Sequence, residues 1–453
     1  MRAALVPCVF GVLFVVGACS ESAPARDQWK VYIATDAPVP GLGQELAIEL
    51  IDDAGNVVSP GGARLIDSSQ PTSWPVSFGI LPTSGAPPPR IRVRLYRLDQ
   101  VGAGALPVGT SFIDATATLP PAAGLTAVAL PLMMSCFSVP PDVQNHASCD
   151  PGTGALAPEP TLAAGANAES LPAVGSWPPA AIVPCTDPGD GMACVPGGVF
   201  LMGSAQYSPS DAYTDPFPQH LVQLSPFAID VDEMTVGQVR ALVQSKGLAP
   251  PDTGDFQSFD SSTGPCTYLG ANDPSHDAYP INCITWMSAR RACALLGKRL
   301  PTEAEREYVA GNLAQSTRFP WGGDPDICAH AIVARGRVDN GQESEVCEVR
   351  VTGVVPAGPV PGGSPGDVTQ LGVRNLGGNV DEWADDFYQP YTGSCWSSGP
   401  LLVDPDCRGG QAGSNSIRGG NWALEPFLAA AFVRDSSVDQ TLITTGFRCA
   451  RSR

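Results

Sequence analysis

Twelve residues near the middle of the chain, Gly297-Lys298-Arg299-Leu300-Pro301-Thr302-Glu303-Ala304-Glu305-Arg306-Glu307-Tyr308, restrict its fold more than any others. Gly297 is a helix stop, and Pro301 holds the backbone extended just before a helix start at Thr302. The Thr302 to Glu305 spacing predicts a capping box. In it the threonine side chain takes a free amide of the first turn, and the glutamate reaches back to the cap's own N–H. Tyr308 then points inward from the second helix. Two helices meeting at such a corner are a scaffold, not a catalytic centre.

Other blocks punctuate the chain on either side. Val195-Pro196-Gly197-Gly198-Val199-Phe200-Leu201-Met202-Gly203-Ser204 reads as a turn and a strand, and strands follow at Pro218–Val222 and Phe227–Asp230. Glu233-Met234-Thr235-Val236-Gly237-Gln238 carries a second capping box, with Val236, Val239 and Val243 on one face of a helix that Gly247 ends. Pro280-Ile281-Asn282-Cys283-Ile284-Thr285-Trp286 precedes a helix expected to bury Trp286, Ala289, Cys293 and Leu296. Then come Phe319-Pro320-Trp321-Gly322, Asn375-Leu376-Gly377-Gly378-Asn379-Val380-Asp381-Glu382-Trp383, Arg418-Gly419-Gly420-Asn421-Trp422 and Gly446-Phe447-Arg448-Cys449-Ala450. In order and spacing these blocks resemble the formylglycine-generating enzymes, or sulfatase-modifying factors. That family's wording includes GKRLPTEAEWEYA, NxxGNVWEW, RGGSW and GFRCA. Arg306 stands where the family usually has Trp. The resemblance covers residues 191–453 and implies an α+β fold, a variant of the C-type-lectin fold held by loops, bound calcium and disulfides.

The resemblance also says where chemistry belongs. The family's two copper-binding cysteines lie between the RGGS and GFRC blocks. With oxygen they convert a cysteine in a CxPxR motif to formylglycine. Two thiolates suit Cu(I) far better than oxygen donors do. Here those positions fall near Ala429 and Arg434, and residues 423–435 contain no cysteine, so copper chemistry is not expected. The family's disulfide maps onto Cys293 and Cys449. Its calcium ligands map onto Asn375, Gly378, Val380 and Glu382, oxygen donors on a Gly-rich loop of the kind a hard cation takes. A pairing of Glu382 with an arginine such as Arg418 is the competing reading. A second calcium site of the family falls near His330-Ala331, where suitable donors are missing. The four histidines (His146, His220, His276, His330) have no ligand spacing. Asp385-Asp386 reads as a solvated strand end, and Arg418, Arg434 and Arg448 as partners for buried acids.

The rest of the chain sets the context. Arg2, the apolar run Ala3–Val16 and the small residues after it read as an export signal. Val16-Gly17-Ala18-Cys19 resembles the lipobox of bacterial lipoproteins, which implies lipid on Cys19, a membrane anchor and a place in the cell envelope, at the outer membrane in a diderm. A formal charge of −19 argues against nucleic acid. Residues 20–132 alternate apolar and polar side chains in Trp29–Ile33, Leu46–Leu50, Ile91–Leu95 and Val128–Leu132, which predicts a small all-β, sandwich-like domain. Residues 133–190, rich in Pro, Ala and Gly, read as a linker. Of 14 cysteines, those beyond Cys19 are even in number and lack zinc spacing, the pattern of disulfides. Local pairs are expected at Cys136–Cys149, Cys185–Cys194, Cys266–Cys283, Cys328–Cys347 and Cys395–Cys407.

These readings favour a non-catalytic binding or structural module in the envelope, taking an envelope protein, a small molecule or a glycan. The alternatives are a family enzyme with different oxidative chemistry, or a formylglycine-generating oxidase that works by another route.

Overall fold

The computed structural model describes residues 26–83, 85, 88–102, 105–205, 216–251, 266–335, 347, 359–408 and 413–452. Cys19 and the apolar run before it, read as an export signal, lie outside these residues.

The first domain is built from β1 (Gln28–Thr35), β2 (Glu45–Ile51), β3 (Arg64–Asp67), β4 (Val76–Ile80), β5 (Arg90–Tyr96), β6 (Ile113–Thr118) and β7 (Leu125–Leu132). They form two sheets, β4-β1-β7 and β3-β2-β5-β6. Period-two alternation aims Trp29, Val31 and Ile33 of one sheet at Leu46, Ile48, Ile91, Val93 and Leu95 of the other, in one apolar cluster. Val199, Leu201 and Leu221 join that cluster from the second domain, so the two domains share a core. Arg97 adds polar contacts across the junction, donating to the Gln315 carbonyl at 3.1 Å.

Residues 133–190, read as a linker, are structured. Strands β8 (Ala147–Asp150) and β9 (Ala155–Pro158) form a hairpin tied down by Cys136–Cys149. Leu162 and Trp177 then pack on the first core. A composition poor in periodicity hid this, because the order comes from a crosslink and from contacts with distant strands.

The second domain holds β10 (Met192–Val195), β11 (Gly198–Met202), β12 (His220–Leu224), β13 (Phe227–Asp230), α1 (Val236–Lys246), α2 (Trp286–Leu295), α3 (Glu303–Ala310), α4 (Ile327–His330), β14 (Asp381–Phe387), β15 (Leu401–Val403), β16 (Asn415–Arg418), β17 (Arg434–Ser437), β18 (Thr445–Gly446) and β19 (Ala450–Ser452). Its sheets are β10-β13-β19, β11-β12-β15 and β17-β16-β14-β18. Both capping boxes form: Thr235 with Gln238, and Thr302 with Glu305. Gly247 ends α1 at φ 67°, in the left-handed region. One helix expectation fails. Leu296 is not in the core but partly exposed, because α2 stops at Leu295 and the chain turns away there. Six disulfides join Cys136–Cys149, Cys185–Cys194, Cys266–Cys283, Cys293–Cys449, Cys328–Cys347 and Cys395–Cys407.

Candidate functional site

Every residue of α3 is buried, and four of its eight side chains are charged. The helix lies against the four-stranded sheet across a layer of ion pairs. Glu303 accepts from Arg434 Nε at 2.7 Å and from Ser416 Oγ at 2.6 Å. Glu307 pairs with Arg418. Arg306 Nε donates to Glu382 Oε2 at 2.9 Å, and Arg448 Nη2 lies 2.7 Å from Glu382 Oε1. Burial works to raise the Glu303 and Glu382 carboxyls, but the guanidinium groups outweigh it and hold both below the usual range. Asp385 and Asp386 are not a solvated strand end. Asp385 pairs with Arg290, while Asp386 accepts the Glu303 and Cys407 amides at 2.7 Å each. Burial, with Glu303 second, pushes the Asp386 carboxyl up to about 8.

The calcium positions fall within this ionic layer. Asn375 Oδ1 accepts from the Ser364 amide at 3.0 Å, and its Nδ2 donates to Glu233 at 3.0 Å. Glu382 has both oxygens committed to Arg306 and Arg448, with a side-chain exposure of 1%. A divalent ion there would sit against two guanidinium groups. The donor set as arranged fits the arginines better than calcium. Among the described residues no group of three or more His, Cys, Asp or Glu is placed to hold a metal.

The positions matched to the copper cysteines have different surroundings. Ala429 belongs to an apolar cluster with Phe319 and Leu428. The Arg434 guanidinium is held by Glu303 and lies 3.9 Å from the centre of the Tyr391 ring. All twelve cysteines beyond Cys19 are in disulfides.

On the opposite face of the sheet, the segment after Asn421 closes a cavity of about 170 Å³. Strand alternation explains its walls. Glu382 and Arg418 turn toward α3, so Asp381 and Ile417 turn away from it. Asp435 stands opposite Ile417 in the register, and Thr445 opposite Asp381. Asn421, Leu424, Ser436, Ser437, Leu442 and Thr444 complete the lining. Asn421 Nδ2 donates to Asp381 Oδ2 at 2.5 Å. Asp381 Oδ1 is buried beside the Thr445 hydroxyl, whose interaction with the carboxyl works against the larger effect of burial. Burial raises both carboxyls, Asp381 to about 7. Asp381, Asn421 and Asp435 were not singled out in the sequence. A signal was present: Asp381 and Asn421 are the letters at which their blocks depart from NVWEW and RGGSW, and here the two departures bond to each other.

Comparison with known proteins accords with this scaffold. Residues 180–453, more than half of the chain, match the domain described as "Sulfatase-modifying factor enzyme 1-like domain". The formylglycine-generating enzyme of Streptomyces coelicolor is 28% identical, over 57% of this chain and 88% of its own. That of Thermomonospora curvata is 26% identical, over 57% of this chain and 93% of its own. The serine/threonine-protein kinase Pkn1 of Chlamydia trachomatis is 25% identical over 57% of this chain, but over only 38% of its own. The chain belongs to the sulfatase-modifying factor family, with its second domain as the family domain.

Proposed function

We propose that this protein is an exported, lipid-anchored envelope protein whose family domain binds a ligand and does not oxidise cysteine. One observation carries the reading. Where the resemblance places a copper-binding thiol pair, the chain has Ala429, packed among apolar side chains, and Arg434, held by Glu303, and the cysteines of the domain are locked in disulfides. A methyl group and a guanidinium offer Cu(I) no soft ligand. The occurrence of such a domain in a protein named as a kinase accords with a module that works in several settings, and fold alone does not assign chemistry. The anchor is Cys19, and the partner is an envelope protein, a small molecule or a glycan.

The test is an oxidase assay: protein, Cu(I), oxygen and a CxPxR peptide, read by peptide mass. No conversion is expected. Conversion that persists after contaminating oxidases are excluded would overturn the reading.

The two carboxyl groups sharing the cavity favour a second reading, a family enzyme with different chemistry in which one acid and one base flank a bound substrate. Catalytic turnover of a ligand that Asp435→Asn abolishes while binding survives would establish it over the first.

A further inference from the structure

We propose that the outer corner of the first domain, Leu81 and Leu125 with Lys30 behind them, rests on the lipid bilayer that holds the Cys19 anchor; this names a partner for the envelope reading and depends on that anchor. Strand register builds the corner. Ile80 of β4 stands opposite Trp29 of β1, and Leu125 of β7 stands opposite Gln28. Leu81, the residue after Ile80, and Leu125 therefore flank Gln28 at one end of the β4-β1-β7 sheet. They are 62% and 61% exposed. A single exposed leucine is ordinary on a protein surface. Two of them beside the strand by which the chain enters the domain call for an apolar partner.

Chain length gives a second, independent indication. Seven residue steps lead from Cys19 to Arg26, the first described residue. At no more than about 3.6 Å each, they reach at most about 25 Å. Lipid on Cys19 thus keeps this end of the sandwich beside the membrane, whatever path the steps take. The other end is occupied. There the segments after β5 meet the second domain: Arg97 donates to the Gln315 carbonyl, and Gln100 Nε2 donates to Gln219 Oε1 at 3.0 Å. The eight residues of β1 put roughly 26 Å between the two ends. The family domain is held off the bilayer, and the leucine corner faces it.

The side chains around the leucines suit a lipid surface. Trp29, Val31 and Ile33 face the core, so Lys30 and Tyr32 lie on the outer face of β1 behind the leucines. Lys30 Nζ is 4.8 Å from the centre of the Tyr32 ring. Leucines foremost, then a lysine and a tyrosine, match acyl chains, anionic headgroups and the interface between them. Charge agrees. The chain carries −19 overall, so an anionic lipid surface repels most of it, whereas this corner presents Arg26 and Lys30. Of the nearby acids, Asp27 is turned back onto the Gly124 amide at 2.6 Å. Asp52 and Asp53 belong to the turn after β2, in the other sheet.

The test uses the full chain, its acylation at Cys19 checked by mass, in vesicles of phosphatidylethanolamine and phosphatidylglycerol. Leu81→Trp and Leu125→Trp each place an indole at the corner. Val403→Trp places one at an equally exposed site, 61%, in the second domain. With lipids brominated near the headgroup end of the acyl chains, the emission added at positions 81 and 125 is expected to be quenched, and that added at 403 to be unchanged. Hydrogen exchange supplies a measurement on the unaltered chain. The Leu81 and Thr83 amides are expected to slow on vesicles relative to protein lacking residues 1–19. Leu81→Glu with Leu125→Glu is expected to abolish the slowing while the protein still floats with the vesicles. Unquenched indoles at both corner positions, or unchanged exchange, on protein that floats with the vesicles would overturn the proposal and leave the anchor standing. A mature chain without lipid on Cys19 would remove the anchor reading, and the proposal with it.

Discussion

Arg306 is where the scaffold stretch departs from its family's wording, and its replacement should be measurable in the stability of the whole domain. Arg306 and Glu382 are 2% and 1% exposed and lie 2.9 Å apart. The same guanidinium donates to the Leu376 carbonyl at 3.0 Å. Removing one member of a buried pair costs about 3–5 kcal/mol, because its partner keeps a desolvated charge. Glu382 retains Arg448 after Arg306→Met, so the lower end, about 3 kcal/mol, is expected. Glu382→Gln leaves two buried guanidinium groups facing each other without an anion, and about 5 kcal/mol is expected. Urea unfolding followed by tryptophan fluorescence, with disulfides intact and m unchanged, gives both values. Wild-type midpoints in calcium and in EGTA should coincide, since the arginines already neutralise Glu382. A smaller loss for Glu382→Gln than for Arg306→Met, or a wild-type midpoint that rises with calcium, would refute the reasoning.

Three further outcomes follow from named contacts. Burial, joined by the nearby Arg434, lowers the His220 imidazole to about 4. The unfolded chain therefore binds the proton first, and stability should fall by about 3 kcal/mol as pH drops from about 6.5 to 4. His220→Gln should remove that slope, which denaturation midpoints across this range would reveal. Replacing Cys293 and Cys449 by alanine opens a crosslink spanning 156 residues and should cost roughly 5 kcal/mol in the chain-entropy model, measured by the same unfolding assay. Thr302→Ala removes the cap of α3 and should cost about 1 kcal/mol; calorimetry showing no change would mean that tertiary packing alone fixes the helix start.

Local physics was legible in the sequence. The capping boxes at Thr235 and Thr302 and the alternating strands of the first domain depend on residues a few positions apart, so spacing alone reveals them; the local cysteine pairs lie 9 to 19 positions apart, and their connectivity needed the structure. Residues 133–190 were not legible, because their order rests on Cys136–Cys149 and on contacts with β6 and β7, tens of residues away. The cavity was hidden for the same reason. Asp381 and Asn421 are 40 positions apart, and only the pairing of β14 with β16 places them on one face. Arg418, Arg434 and Arg448 could be read as partners for buried acids, but not which acids. Asp385-Asp386 misled, since a polar dipeptide at a strand end gives no hint that α3 and the Cys407 loop cover it.

The central claim is that this family domain has Ala429 and Arg434 where its copper chemistry needs thiolates. A Cu(I) competition titration against a chelator, on protein lacking residues 1–19, tests it most directly. No copper retained against the chelator is predicted. One tightly held Cu(I) per chain would contradict the account.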